Sequence, residues 1–318
     1  MRKKIDWEGQ IGRRLRLRDL HVFSIVAQHG SMAKAAAELG VSPPTVSEVI
    51  ADLERGLGVQ LLDRSPQGVE PTMYGHAILR RGLAAFDELK QGIRDIEFLA
   101  DPTGGELRIG CGATLSASIL PAIIHGFSQQ YPRVVLHVHE VPPPTRDLSG
   151  LRDRKHDLIL GRWMNPPPLD HVGDDLNVEV LFDDPLVVAT GTQTRWARRR
   201  KIDLADLIDG PWILTPPNTW NHTGIEEPFR ARGLPMPKIN LMTSSVHVCT
   251  HLLANGDFVT ALAKSLAERL ALKVLPVDLP DRAWPVVIIT LKNRTLSPVV
   301  EQFIEHVRHN SRDRVIGH

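Results

Sequence analysis

The chain has 318 residues, 42% hydrophobic and 24% charged, an ordinary soluble composition that is long enough for two or three domains. Lys and Arg number 38 against 37 Asp and Glu, a formal net charge of +1, so composition alone builds in no overall attraction to nucleic acid or membrane. No long apolar run exists, no apolar segment follows Met1-Arg2-Lys3-Lys4, and only Cys111 and Cys249 are present; these features argue against membrane insertion and Sec-type export and lead to an expectation of reduced thiols in a cytoplasmic protein.

Charge is unevenly placed at the start of the chain. Residues 1–18 hold seven Lys and Arg against Asp6 and Glu8, whereas residues 19–70 hold Lys34, Arg55 and Arg64 against seven acids. Residues 1–16 therefore read as a basic arm that could touch phosphates, leading into an acidic body.

That body, residues 17–72, carries the strongest local signals. Leu20, Phe23, Val26 and Ala27 recur at helical spacing. Ser31 stands where an N-cap belongs, ahead of the alanine-rich helix Met32–Leu39, and Gly40 suits the turn that ends it. Ser42 caps the next helix, with Pro43 and Pro44 in a first turn that needs no backbone N–H. Val46, Ile50 and Leu53 face inward, which leaves Pro43, Thr45, Ser47 and Glu48 outward. The stretch Leu57–Leu62 reads as a helix stop and a short strand. Arg64–Thr72 reads as a wing, with Arg64 placed for a phosphate and Thr72 for an N-cap.

Residues 73–101 read as one linker helix. Apolar residues recur at Ile78, Leu79, Leu83, Phe86, Leu89, Ile93, Ile96 and Leu99, and Asp101-Pro102-Thr103-Gly104-Gly105 ends the pattern. Beyond it, strands alternate with helices: Glu106–Cys111, a helix Leu115–Gln130, then strands Val134–His139 and Asp157–Gly161. A second unit follows: Leu186–Ala189, a basic helix Thr194–Lys201, Leu204–Ile208 and Pro211–Leu214. Val286–Leu291 is a late strand before the helix Ser297–His309. Such alternation predicts a parallel sheet with ligands at strand carboxyl ends. Thr114, Leu115 and Ser116 follow the first strand at a helix start, and Ser244 and Ser245 precede the helix Val246–Ala254. Hydroxyls and backbone N–H groups there favour an anion.

The run Gly30–Ser47 with Leu53–Arg64 resembles the winged helix-turn-helix of LysR-type transcriptional regulators, and the motif order after it resembles the same family. The resemblance implies an α+β multidomain chain: a winged helix-turn-helix, a linker helix that pairs two copies, and a two-lobed α/β effector domain over residues 105–310, similar to type 2 periplasmic binding proteins. Lobe I would take residues 105–163 and 267–310 and lobe II residues 164–266, with crossings near Arg162–Pro166 and Leu266–Ala271. Double-stranded operator DNA would meet Ser31, Lys34, Pro43, Thr45, Ser47, Glu48 and Arg64. A small-molecule effector, with no cofactor or metal, would meet Thr114, Leu115, Ser116, Trp163, Thr215, Ser244, Ser245 and His247. Further partners implied are a second copy (a dimer, or a tetramer as a dimer of dimers) and RNA polymerase, with no membrane.

Departures lie at the surface. Pro43 stands where the family often has Gln, and Glu48 where it often has a basic or amide residue, so the base preference is this chain's own. The run Gly256–Lys264 lacks the second glycine and the Leu-Pro end usual in the family, and Phe258 within it is placed to intrude on the pocket. The basic run Arg195–Lys201 reads as a solvated helix face rather than a nucleic-acid patch. Two other classes compete. An enzyme would use Asp157, a histidine or Ser116, yet no metal-spaced cluster, phosphate loop or nucleophile elbow is visible. A transport receptor shares the two-lobed fold, but the helix-turn-helix and the missing leader oppose it.

Overall fold

The structure, a computed structural model, describes residues 15–66, 68–143, 147–163, 174–217, 219–280 and 285–316, with side chains as far as Ser311. The basic arm lies outside the described residues except for its last two positions. The chain divides into two compact units, Met1–Ile93 and Arg94–His318.

In the first unit, α1 (Leu17–His29), α2 (Met32–Leu39) and α3 (Pro43–Leu57) precede a hairpin of β1 (Leu62–Ser65) and β2 (Gly68–Pro71). Ser31 Oγ accepts from the Lys34 N–H and Ser42 Oγ from the Thr45 N–H, so both expected caps form. Gly40 ends α2 at φ 64°, its N–H turned back to the Ala36 and Ala37 carbonyls, a left-handed conformation that side chains resist. Val26, Ala35, Ala36, Val46, Ile50 and Leu53 close on Phe23 in one core. The small Ala35 and Ala36 permit that approach. Glu54 links α3 to the hairpin, its Oε1 accepting from the Leu61 and Leu62 N–H groups at 2.7 and 3.2 Å. The wing is a tight antiparallel hairpin, Ser65 facing Gly68. Gly68 has φ 140°, and a Cβ there would lie 2.5 Å from the Gly30 carbonyl oxygen. Thr72 caps the following helix, accepting from the Gly75 N–H at 3.1 Å.

That helix, α4 (Met73–Ala100), runs 28 residues. Its apolar stripe has two fates. Ile78, Leu79 and Phe86 pack on the helix-turn-helix core, whereas Leu89, Ile93, Ile96 and Leu99 are exposed. The surface available for pairing is thus the later part of the expected stripe.

The second unit holds two five-stranded sheets. The first has the order β4 (Arg133–Glu140), β3 (Gly104–Cys111), β5 (Leu158–Arg162), β12 (Pro285–Leu291), β6 (Leu176–Asp183). The second has the order β11 (Lys273–Val274), β7 (Leu186–Thr190), β10 (Val259–Ala263), β8 (Trp212–Leu214), β9 (Ile239–Met242). Both are mixed rather than parallel. β3 runs parallel to β4 and β5, and β8 to β9 and β10, but β12 is antiparallel to both neighbours and β7 to β10 and β11. The reversed strands are those beside the crossings between sheets, where the chain returns without a same-sheet helix to carry it forward.

The crossings themselves fall later than expected. β6 pairs with β12 along its length, so the chain leaves the first sheet at Asp184-Pro185 and not near Arg162–Pro166. β11 pairs with β7, so it returns after Val274 and not near Leu266–Ala271. Residues 164–173, between β5 and β6, and 281–284, just before β12, lie outside the described residues.

Two helices also differ from expectation. The helix Leu115–Gln130 is broken at Ile119 into α5 (Ala113–Ser118) and α6 (Leu120–Gln130). Pro121, without an N–H, starts the second segment rather than continuing the first. The basic helix Thr194–Lys201 is a single 3-10 turn, Trp196–Arg198, because Trp196 is drawn into the core of the second lobe. The remaining helices are α7 (Ser149–Arg152), α8 (Trp220–Ala231), α9 (Val246–Asn255), α10 (Lys264–Arg269) and α11 (Pro298–Ile316).

Buried charge pins the first sheet at both ends of β5. Before it, Asp157 accepts from Arg294 at 2.7 Å, from Arg94 at 3.2 Å and from the Arg108 N–H at 2.8 Å. At its end, Arg162 donates to the Asp184 carboxylate at 2.6 Å and to its carbonyl at 2.7 Å. Asp184 accepts in addition from the Ser265 N–H and hydroxyl, at 3.0 and 2.7 Å. One carboxylate thus joins β5, the β6–β7 crossing and the start of α10.

Removing one member of a buried pair strands the other charge. Asp184→Ala is expected to destabilise the second unit by about 3–5 kcal/mol in denaturant unfolding followed by tryptophan fluorescence. A loss near zero would show that the carboxylate does not hold the crossing.

Candidate functional site

The carboxyl ends of the parallel strands converge on one cavity of about 430 Å³. Gly112, Ala113, Thr114 and Leu115 reach it from the end of β3, Glu140–Pro143 from β4, and Gly161 and Arg162 from β5. From the second sheet come Thr215 after β8 and Ser244 after β9, joined by Thr219, Trp220 and Asn221 at the start of α8. A smaller space of about 70 Å³ adjoins it, lined by Ser245, Cys249 and Thr260 among others. Successive strand ends on two facing sheets leave such a crevice by topology alone. The starts of α5, α8 and α9 all border it, so the positive ends of their peptide dipoles point toward it.

Its charges are compensated. Arg162 is the one cation among the described lining residues, and burial lowers its pKa while Asp184 opposes that shift. Trp220 of the second lobe stacks on it, the guanidinium carbon 4.4 Å from the ring centroid. Glu140, exposed at the end of β4, is the one acid among the described lining residues. Neutral polar groups supply the rest: Thr215 Oγ1 lies 2.5 Å from Thr219 Oγ1 and 2.6 Å from Asn221 Oδ1, and the Asn221 amide donates to the Ala261 carbonyl.

Of the residues expected from sequence, Thr114, Leu115, Thr215 and Ser244 line the larger cavity and Ser245 the smaller. Ser245 Oγ is engaged as the cap of α9, accepting from the Val248 N–H at 3.3 Å. The other three do not line either space. The Ser116 hydroxyl is buried against the core, beside Cys111, whose thiol burial pushes up to about 12. Trp163 is only 5% exposed and fills a separate core with Leu148, Leu151 and Ile289. His247 is exposed on the first turn of α9. Phe258 likewise packs against the Ala189–Leu253 cluster instead of the cavity.

Sequence reasoning passed over Arg162, Trp220 and Asn221. A charged residue closing an apolar buried strand was the available signal for Arg162. For Trp220 and Asn221 it was their position just after Thr219, the N-cap that follows β8. Asp157, the carboxylate an enzyme reading would use, is locked between Arg94 and Arg294 away from the cavity. Among the described residues no group of three or more His, Cys, Asp or Glu could hold a metal ion.

On the helix-turn-helix, Lys34, Pro43, Glu48 and Arg64 are exposed, while Ser31, Thr45 and Ser47 are half-buried. Thr45 Oγ1 lies 2.8 Å from the capping Ser42 Oγ, so its hydroxyl serves the cap. The outward face of α3 continues past Glu48 to Asp52 and Arg55, which pair at 2.6 Å.

Comparison with known proteins agrees with both halves. The bacterial regulatory helix-turn-helix model of the lysR family matches residues 17–76, and the LysR substrate binding domain model matches residues 100–312. The transcriptional regulator GbpR of Azospirillum brasilense is 28% identical over 90% of this chain and 83% of its own length. The transcriptional activator CmpR of Synechocystis is 28% identical over 92% and 94%. Among solved structures, a full-length OxyR variant from Pseudomonas aeruginosa matches with TM-score 0.62 at 22% identity, covering 94% of this chain and 95% of its own. CbnR, solved in complex with its target DNA, matches with TM-score 0.52 at 23%, covering 93% and 100%. With a capped helix-turn-helix in front and a two-sheet unit matching over residues 100–312 behind it, the chain belongs to the LysR family of transcriptional regulators.

Proposed function

We propose that this regulator binds a two-fold operator as a homodimer in the cytoplasm and responds to a small organic anion held between its two sheets. The observation that carries the reading is the pairing of a doubly capped helix-turn-helix with a cavity at the carboxyl ends of five strands. CbnR, with a similar fold, was solved on its target DNA, which supports the DNA half. In the chain itself, Ser31, Lys34, Pro43, Thr45, Ser47, Glu48 and Arg64 form the proposed contact surface.

Glu48 is the unusual member. A carboxylate in the major groove accepts from cytosine N4 but is repelled by the phosphates. Glu48→Ala is therefore expected to relax preference at one operator position while keeping or raising non-specific affinity. Arg64→Ala is expected to weaken all sequences alike and to lower the salt slope by about one unit for each bound subunit. Site selection from random DNA checks both, and an unchanged preference for Glu48→Ala removes that residue from the groove.

Dimerisation is assigned to the exposed stripe of α4. Leu89, Ile93, Ile96 and Leu99 stand 53, 57, 68 and 80% exposed, a continuous apolar row on one helix, as a self-pairing surface requires. Light scattering at micromolar concentration is expected to return a dimer or a tetramer. Leu89→Glu with Ile93→Glu is expected to shift it toward monomer and to weaken operator binding with it; a monomeric wild type refutes the assignment.

For the effector, the cavity of about 430 Å³ suits a small molecule. Three helix starts favour negative charge, and Arg162 contributes a compensated cation. Ser244→Ala and Thr215→Val are expected to cost about 1–3 kcal/mol of effector binding each and to leave DNA binding intact. Ser116→Ala, outside the cavity, is expected to be silent. A thermal-shift screen of carboxylic acids finds the ligand and calorimetry then ranks the variants. Wild-type affinity in both cavity variants would place the site elsewhere, and a neutral ligand would remove the anion assignment alone.

A further inference from the structure

The run Arg195–Lys201 puts five cations into seven residues, and its structure is not that of a helix face. Its 3-10 turn is anchored by Trp196, 4% exposed within the core built on Leu204, Leu207 and Trp212. Arg195 and Arg199 stack on that ring at 4.6 and 5.2 Å, and each has one acid nearby, Asp257 at 3.4 Å and Asp206 at 3.6 Å. Arg198, Arg200 and Lys201 are exposed and form no ion pair among the described residues. A buried tryptophan thus fixes a short segment whose neighbouring positive charges repel one another, and an external polyanion would relieve that repulsion.

The basic arm carries five Lys and Arg over residues 1–14 against Asp6 and Glu8, but the helix-turn-helix body that follows it has a deficit of cations. Residues 15–72 hold five Lys and Arg against seven Asp and Glu, the reverse of the basic footprint that phosphate neutralisation calls for. We propose that the Arg195–Lys201 turn is a sequence-independent contact for the phosphate backbone of double-stranded DNA, with Arg198, Arg200 and Lys201 as its free charges and Trp196 holding Arg195 and Arg199 in place. The inference rests on the DNA-binding reading above and adds to it a second surface, outside the helix-turn-helix.

The test uses the full-length protein, wild type and the triple variant R198A/R200A/K201A, in salt titrations by fluorescence anisotropy. One probe is a mixed-sequence duplex and the other a duplex spanning the region upstream of the gene. Each phosphate contact adds about 0.9 to the slope of log affinity against log salt, so the variant is expected to lose about two to three units for each subunit in contact, on both duplexes, with base preference preserved. The charge-keeping variant R198K/R200K/K201R is expected to hold the wild-type slope, which separates loss of charge from damage to the fold. A triple variant whose slope stays within about half a unit of wild type overturns the inference, as it would if the turn served an acidic protein or a lipid surface. A wild type that binds neither duplex overturns the DNA-binding reading and this inference together.

Discussion

The second unit depends on one desolvated ion pair. Arg162 and Asp184 are 6% and 3% exposed at the side chain, and charges so removed from water persist only when paired and hydrogen-bonded. That requirement fixes three chain segments at once. Arg162 ends a strand of the first sheet, Asp184 begins the crossing to the second, and Ser265 lies where β10 of the second sheet passes into α10. The same guanidinium carries Trp220 on its face, so the residue that ties the crossing together is also part of the cavity lining. Removing a neighbouring dipole or charge here would alter fold and binding together.

β5 is held at its other end by the same physics. Asp157 sits just before the strand and accepts from Arg94, Arg294 and a backbone N–H of β3. Arg94 belongs to the late turns of α4, so the strand that ends at the cavity begins at a buried anchor of the linker helix. Its five residues are all buried, and the strand lies between β3, which pairs with Leu158–Leu160, and β12, which pairs with Ile159–Arg162. A strand so enclosed has no lateral freedom. Removing either partner of such a pair would strand a buried charge, so the pairing constrains where these segments lie.

These same groups mark the boundary of what the sequence discloses. Periodicity and caps are local, so Ser31, Ser42, Gly40 and Thr72 were legible one residue at a time, and the inward row Val46, Ile50, Leu53 followed from spacing. Strand ends were legible as well, which placed Thr114, Leu115 and Ser244 at the cavity. The crossings were not, because strand pairing between Leu176–Asp183 and Pro285–Leu291 joins segments about a hundred residues apart and leaves no local trace. Trp163 shows a second limit: an aromatic residue just after a strand faces either ligand or core, and only the packing of Leu148 and Leu151 decides for the core. Trp196 shows a third. The cations around it suggested a solvated helix, but burying one large ring outweighed the helical preference of its neighbours.

The acidic helix-turn-helix bears on how recognition is divided. Non-specific affinity for DNA comes almost entirely from neutralised phosphates, whereas discrimination comes from base edges. A body with more carboxylates than cations holds DNA weakly wherever its base contacts fail. Glu48, exposed on the recognition helix with no basic neighbour one turn away, sharpens this, since a carboxylate repels the backbone unless a cytosine amino group meets it. Asp52 one turn later is paired with Arg55, so its charge is already offset, and the net negative field of the helix falls mainly on Glu48. On the proposed DNA-contact surface, specificity would be set as much by repulsion from wrong sites as by attraction to the right one, with Lys34 and Arg64 supplying that attraction together with cations outside the helix-turn-helix.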